Sequence, residues 1–226
     1  MNDNREMTVI ARIHTPFAGK FGVPRQSGLA PTEGRIVFAP AYRNPDALRG
    51  LEGFSHLWLI WVFDRAERKD WSPTVRPHRL GGNRRMGVFA TRSPFRPNPI
   101  GLSCVELAAV EWSTPDGPVL HVRGADLVDG TPLLDIKPYL PYCDAKPQAT
   151  GGFTDGLTGG ALQVVCPPAL LARLPEKDRP GLLAVLGGDP RPRYQDDPER
   201  VYGLTYGQRN VKFRVAGDVL TVEDVE

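Results

Sequence analysis

The chain has 226 residues, 41% of them apolar, with 28 basic and 26 acidic side chains and a formal net charge of +2. That length suits one sizeable domain or a domain of about 150 residues with a smaller appendage. So even a charge balance neither demands nor excludes a nucleic-acid partner, and local clusters must decide. The three cysteines, Cys104, Cys143 and Cys166, are too far apart for a paired disulfide framework or a CxxC metal clip. His14, His56, His78 and His121 lack metal-ligand spacing, so no metal is expected.

From the N-terminus, MNDNREMTVIARIH has acidic residues and no apolar signal core, and no later stretch is long enough to span a bilayer; a soluble cytoplasmic chain is expected. β-like runs bounded by glycine and proline follow: Thr8 to His14, Arg35 to Tyr42, His56 to Phe63, Met86 to Thr91, Leu102 to Trp112 and Val119 to Val128. Without long helical patterns between them, they predict an antiparallel barrel or sandwich rather than a doubly wound parallel sheet. A short helix is expected within Asn44 to Gly53, opening at Asn44 or Pro45.

The loop Phe21 to Gly28 presents Arg25 and Gln26 after a proline. In FSHLWLIWVFDR, Trp58, Trp61 and His56 read as core, whereas the end at Asp64 and Arg65, where an apolar strand reaches water, is the better place for function. The stretch Met86 to Ser103, MGVFATRSPFRPNPIGLS, carries three prolines in a run that begins and ends like a strand, so its middle must be an ordered loop. Proline stiffening leaves Arg92 and Arg96 with less entropy to lose on meeting a carboxylate, a phosphate or a purine edge. A proline-rich surface connection with solvated arginines is the other reading.

Asp126 to Tyr142, DLVDGTPLLDIKPYLPY, converges several carboxylates and backbone groups on a turn at Asp129 and Gly130, either to accept from ribose hydroxyls or an ammonium group, or to cap their own backbone. After Tyr142 the composition shifts to small and turn-forming residues, which predicts a linker or long loop over 143–159. A small α+β C-terminal domain is expected over 160–226, with two short helices and the strands VYGLTY, VKFRV and DVLTVE, the last two joined by a tight turn at Ala216, Gly217 and Asp218. Its arginines and lysines lie among Tyr194, Tyr202 and Tyr206, an interleaving that suits phosphate contact and base stacking. GxGxxG, GxxxxGK[ST], HExxH and GxSxG are all absent from the sequence.

PRQ at Pro24 to Gln26, GLEGFSHLWLIWVF, RPHRLGGNRRMGVFATRSPFRPNPIGLS, DLVDGTPLLDIKPYLPY and the late DPRPRYQ together resemble the TrmO (TsaA-like, YaeB) family of tRNA (adenine-N6)-methyltransferases. The resemblance implies a mainly β fold: residues 1–142 as an antiparallel β-barrel without a Rossmann-like core, followed by the small α+β domain. It implies a homodimer that transfers a methyl group from S-adenosylmethionine to N6 of threonylcarbamoyladenosine at tRNA position 37. Carried over by motif, the implied cofactor contacts are Pro24, Arg25, Gln26, Asp64, Arg65, Arg92, Leu102, Asp126, Asp129, Gly130, Thr131 and Pro132, with Asp64 and Arg65 acting through backbone.

Loss of the N6 proton calls for a carboxylate or phenolate, and Asp135 and Tyr139 are the candidates. Arg92 or Arg96 is expected to pair with the threonyl or the methionyl carboxylate. Contacts to tRNA are expected from Arg96, Lys137, Arg191, Arg193, Tyr194, Arg209 and Lys212. The alternatives are a non-catalytic RNA- or nucleotide-binding barrel and a methyltransferase with another acceptor.

Overall fold

The computed structural model describes residues 5–65, 71–77, 84–155, 161–191 and 197–226. Six strands close into a barrel: β1 (Ala11–His14), β2 (Glu33–Phe38), β3 (His56–Val62), β6 (Ile100–Glu111), β7 (Val119–Arg123) and β8 (Thr131–Pro138), in the order β1-β2-β7-β6-β3-β8. Every neighbouring pair is antiparallel. Period-two alternation decides what faces in: Ile13, Ile36, Leu57, Leu59, Trp61, Val105, Leu120, Val122 and Leu133 fill the interior. β6 serves two partners, pairing with β3 through its first half and with β7 through its second, and an irregularity between Leu107 and Ala109 bends it between them.

A two-stranded excursion, β4 (Thr74–Val75) and β5 (Met86–Gly87), leaves the end of β3 and returns to β6. The strand expected over Met86 to Thr91 is therefore only its first two residues, and Val88–Ala90 forms a 3-10 turn instead. Likewise, the helix expected within Asn44 to Gly53 is two 3-10 turns, Pro45–Leu48 and Leu51–Gly53. Asn44 does cap the first by accepting from the Asp46 N–H, but Gly50 at φ 86° ends it before an α-turn can propagate. β8 is not among the expected strands, although it begins directly after the expected turn at Asp129 and Gly130; Pro132 is tolerated as the second residue of the strand.

Beyond the short helices α1 (Pro141–Asp144) and α2 (Pro168–Leu171), the helix α3 (Arg179–Gly187) packs on a four-stranded sheet. Its order is β10-β11-β12-β9, from β9 (Gln163–Val165), β10 (Tyr202–Tyr206), β11 (Arg209–Ala216) and β12 (Val219–Val225), with β9 parallel to β12. The expected turn between β11 and β12 forms at Gly217, φ 56°. This second core also takes Phe17 and Ala30 from the loop between β1 and β2, so the sheet is seated against the barrel's longest N-terminal loop. Tyr202 and Tyr206, read as stacking surfaces, are instead core: alternation along β10 turns both inward with Leu204. Among the described residues, no helix is long and apolar enough to cross a membrane.

Candidate active site

One end of the barrel gathers three connections: the loop from β1 to β2, the turn from β7 to β8, and the end of β3 with the β4–β5 excursion. The turn is held from β1 and β3. Arg12 donates to the Gly130 carbonyl at 2.7 Å, and Arg65 donates to the Asp129 carbonyl at 2.7 Å and the Ala18 carbonyl at 3.0 Å. Asp129 Oδ1 accepts from the Thr15 N–H at 3.1 Å and lies 3.2 Å from His14 Nδ1. Gly130, φ 79°, supplies the left-handed residue that closes the turn. These carboxylate and guanidinium bonds brace the site rather than point into it.

The second group is a relay of buried polar atoms. The Trp61 indole N–H donates to Ser103 Oγ at 3.0 Å, and the Ser103 hydroxyl donates to Asp126 Oδ1 at 2.5 Å. Gly101 permits this, because any Cβ there would lie 2.2 Å from the Trp61 ring. Burial pushes the Asp126 carboxyl above the ordinary carboxylate range; the Ser103 hydroxyl, the backbone N–H groups of Asp126 and Ser27, and the Arg92 charge pull the other way. Ser27 Oγ in turn accepts from the Cys104 N–H at 3.1 Å, which pins the PRQ loop against β6. Arg92 then reaches across from the excursion to donate to Gln26 Oε1. An exposed guanidinium, an amide and a carboxylate thus meet from segments far apart in sequence.

The remaining expected residues fall into distinct places. Pro24 is half-buried in the same loop, and Arg25 hydrogen-bonds to the Asp189 carbonyl at 3.4 Å. Asp64 is exposed at the strand end. Thr131 and Pro132 are buried, the Thr131 hydroxyl donating to the Val128 carbonyl at 2.6 Å, which leaves them only backbone to offer. Leu102 is 53% exposed on the outer barrel face. It shares a cross-strand row there with Ile60 and Asp135.

Asp135 lies 2.8 Å from the Lys137 ammonium on that face. Tyr139 packs on Trp58 and His56, at the far end of β3 and β8 from the Gly130 turn. Neither residue joins the Arg92 group within the chain. Arg96 donates to the Thr91 carbonyl at 3.0 Å. Arg191 is bidentate on Asp189 with only 10% of its side chain exposed, a bracing role rather than an RNA-facing one. Lys212 pairs with Glu226, Arg209 is exposed, and Arg193 and Tyr194 lie outside the described residues.

A cleft of about 450 Å³ lies elsewhere, on the β1, β2 and β7 side, lined by His14, Arg35, His121, Arg123 and Lys177 among others. Lys177 there pairs with Glu33 and Arg123 with Glu106, and the His121 ring hydrogen-bonds Glu111. Convergence of Arg92, Gln26 and Asp126, not cavity size, marks the candidate site. Sequence reasoning missed Ser103, Ser27 and Gly101. Only a polar residue at an inward position of β6, diagonal across the β3–β6 pair from a tryptophan that needs a partner for its N–H, could have signalled Ser103.

The comparisons agree with this architecture. Residues 12–145 match the tRNA-methyltransferase O N-terminal domain, and residues 162–226 match the TrmO C-terminal domain. The tRNA (adenine(37)-N6)-methyltransferase of Escherichia coli is 44% identical over 215 residues, 91% of each chain. A Pyrococcus abyssi protein named "Probable S-adenosyl-L-methionine-binding protein" is 40% identical over 147 residues, 65% of this chain and 74% of its own. The crystal structure of TrmO from Pseudomonas aeruginosa superposes with a TM-score of 0.79 at 33% identity, covering 99% of both chains. With both domains matched over most of its length, and a non-Rossmann barrel under the shared motifs, the chain belongs to the tRNA-methyltransferase O family.

Proposed function

We infer that this chain methylates N6 of threonylcarbamoyladenosine at position 37 of a tRNA, with S-adenosylmethionine as methyl donor. The observation that carries the reading is the Arg92, Gln26 and Asp126 group on a barrel of this family. The donor set fits the cofactor: Arg92 suits a carboxylate, Pro24 and Leu102 offer apolar surface, and Asp126 can accept from a hydroxyl or ammonium group. When bound, the cofactor supplies an electrophilic methyl group on a sulfonium centre.

The chain's own groups do the rest. Gln26 fixes the Arg92 fork, so the guanidinium meets its anion with little rotamer entropy left to lose. The Ser103 and Ser27 contacts hold the Asp126 carboxylate still in a poorly hydrated position. For the N6 proton, Asp135 is the better placed of the two candidates, since it shares the Leu102 row, whereas Tyr139 is packed between Trp58 and His56.

That row also argues for a homodimer. Ile60, Val62, Ile100 and Leu102 form an apolar strip on the outer face, which a second copy would cover, bringing Leu102 and Asp135 to the shared surface. The C-terminal domain adds tRNA contact through Arg209 on β11.

The test is methyl transfer from labelled S-adenosylmethionine into tRNA carrying the threonylcarbamoyl group, with mass spectrometry of the nucleoside. Arg92→Ala should cut transfer by roughly 100-fold, as loss of a charge-assisted pair worth up to about 3 kcal/mol implies. Label entering the RNA at another nucleoside, or none entering with the wild-type protein, would refute the reading.

A further inference from the structure

With Tyr202 and Tyr206 in the core, the question of what stacks on RNA bases reopens, and the excursion answers it. Trp71 and Phe89 are 51% and 71% exposed, with ring centroids 6.2 Å apart and planes at 29°. Among the described residues, this is the aromatic pair in which both rings stand in solvent. Burying two such rings would be the ordinary outcome, and here the backbone opposes it. The pairing of Thr74 with Gly87, and the bond from the Val88 N–H to the Pro73 carbonyl, hold the two rings side by side on the outside of the hairpin. Arg96 stands over Phe89 with its guanidinium carbon 5.9 Å from the ring centre, and it is steadied by the Thr91 carbonyl.

The charge around the pair selects the occupant. From Trp71 to Pro99 the sequence has six arginines and no acidic residue, so the rest of the chain carries a net −4 against +2 for the whole. Arg76, Arg84 and Arg85 are exposed on the described part of this hairpin. A stacked aromatic surface on a hairpin rich in exposed arginines matches an unpaired base with its phosphates, and Arg92 follows Phe89 by three residues.

We propose that Trp71 and Phe89, backed by Arg96, form a stacking platform for an unpaired base of the tRNA anticodon loop beside the methyl-transfer site. The proposal rests on the RNA substrate inferred above. Phe89→Ala should bind a synthetic anticodon stem-loop roughly fivefold to a hundredfold more weakly, with S-adenosylmethionine affinity and thermal midpoint unchanged, while Phe89→Tyr should restore binding.

Abasic sites placed singly around the loop should weaken binding to the wild type at one position and have no further effect there in Phe89→Ala. Equal affinities for wild type and Phe89→Ala, or an abasic penalty that survives in the variant, would overturn the proposal. So would a changed oligomeric state at unchanged RNA affinity. A wild-type protein that binds the stem-loop and shows the abasic coupling, yet transfers no methyl group to modified tRNA, sinks the function and leaves the platform standing.

Discussion

Gly101→Ala tests the relay that holds the site together. The new methyl carbon would meet Trp61 ring atoms at 2.2, 2.4 and 2.5 Å. Carbon contacts relax near 3.5 Å, so the indole or the strand must retreat by about 1.3 Å. The ring has little room, being 7% exposed and packed on Phe63 with centroids 4.2 Å apart. A shift of that size also stretches the 3.0 Å bond to Ser103 beyond hydrogen-bonding range and leaves a buried N–H unpaired.

Overpacking costs about 1–3 kcal/mol and the lost bond about 1 kcal/mol, so the variant should be less stable by about 2–4 kcal/mol. For a chain of this size, that lowers the thermal midpoint by roughly 4 to 16 °C. Ser103 then loosens its hold on Asp126, and S-adenosylmethionine affinity should fall in parallel. Urea titration gives the stability and isothermal calorimetry the affinity. A midpoint within about 1 °C of wild type would refute the reasoning from packing.

Asp126→Asn should reveal the buried charge through pH. Because burial holds this carboxyl above its ordinary range, the wild type is penalised for ionising it. Wild-type stability should therefore decline as pH rises from the ordinary carboxylate value near 4 through the raised one, by about 1.4 kcal/mol per pKa unit, while the variant does not follow. The variant's midpoint minus the wild type's should grow from about pH 4 to pH 7 in thermal melts; a flat or falling difference would count against a buried, costly charge. In the second core, Gly181→Ala would place a methyl group 2.3 Å from the Tyr206 hydroxyl and 3.3 Å from Thr32, and the ring, 2% exposed, cannot swing away. Despite a gain in helix propensity, it should destabilise by about 1–3 kcal/mol, and a stabilised variant in urea would show that the helix can slide.

The strands of the barrel were legible as strands from their short apolar runs, but the inward side was not: HLWLIWV is apolar after its first residue, and His56 and Trp58, expected in the core, are exposed and half-buried while Leu57, Leu59 and Trp61 turn inward. β8 was not legible as a strand, because prolines and charges in TPLLDIKP break the apolar pattern of a strand, and only its pairing with β1 and β3 on either side reveals it. The arginine loop was legible as a stiff, cationic feature, but its partner was not. Gln26 is 66 residues from Arg92, and Trp61 is 42 residues from Ser103. Nothing in one sequence pairs such positions. The misreading of Tyr202 and Tyr206 has the same origin: tyrosines beside arginines suggest a surface, yet period two within YGLTY already turns them to one side, and only the second core shows which side is covered.

Charge and rigidity at the site come from different parts of the molecule, and that separation explains how one arginine can be both exposed and ordered. Rigidity comes from the barrel, where Trp61, Ser103 and Asp126 fix the PRQ loop through Ser27. Positive charge comes from the excursion, whose six arginines stand against a remainder of opposite sign. A polyanion approaching the molecule is therefore favoured at this end, so orientation begins to be selected before any contact forms. Arg92 sits where the two meet: carried by the cationic hairpin, but aimed by Gln26 from the braced loop. An arginine on the hairpin alone would attract RNA without positioning it, and one on the braced loop alone would be positioned without the hairpin's positive charge around it.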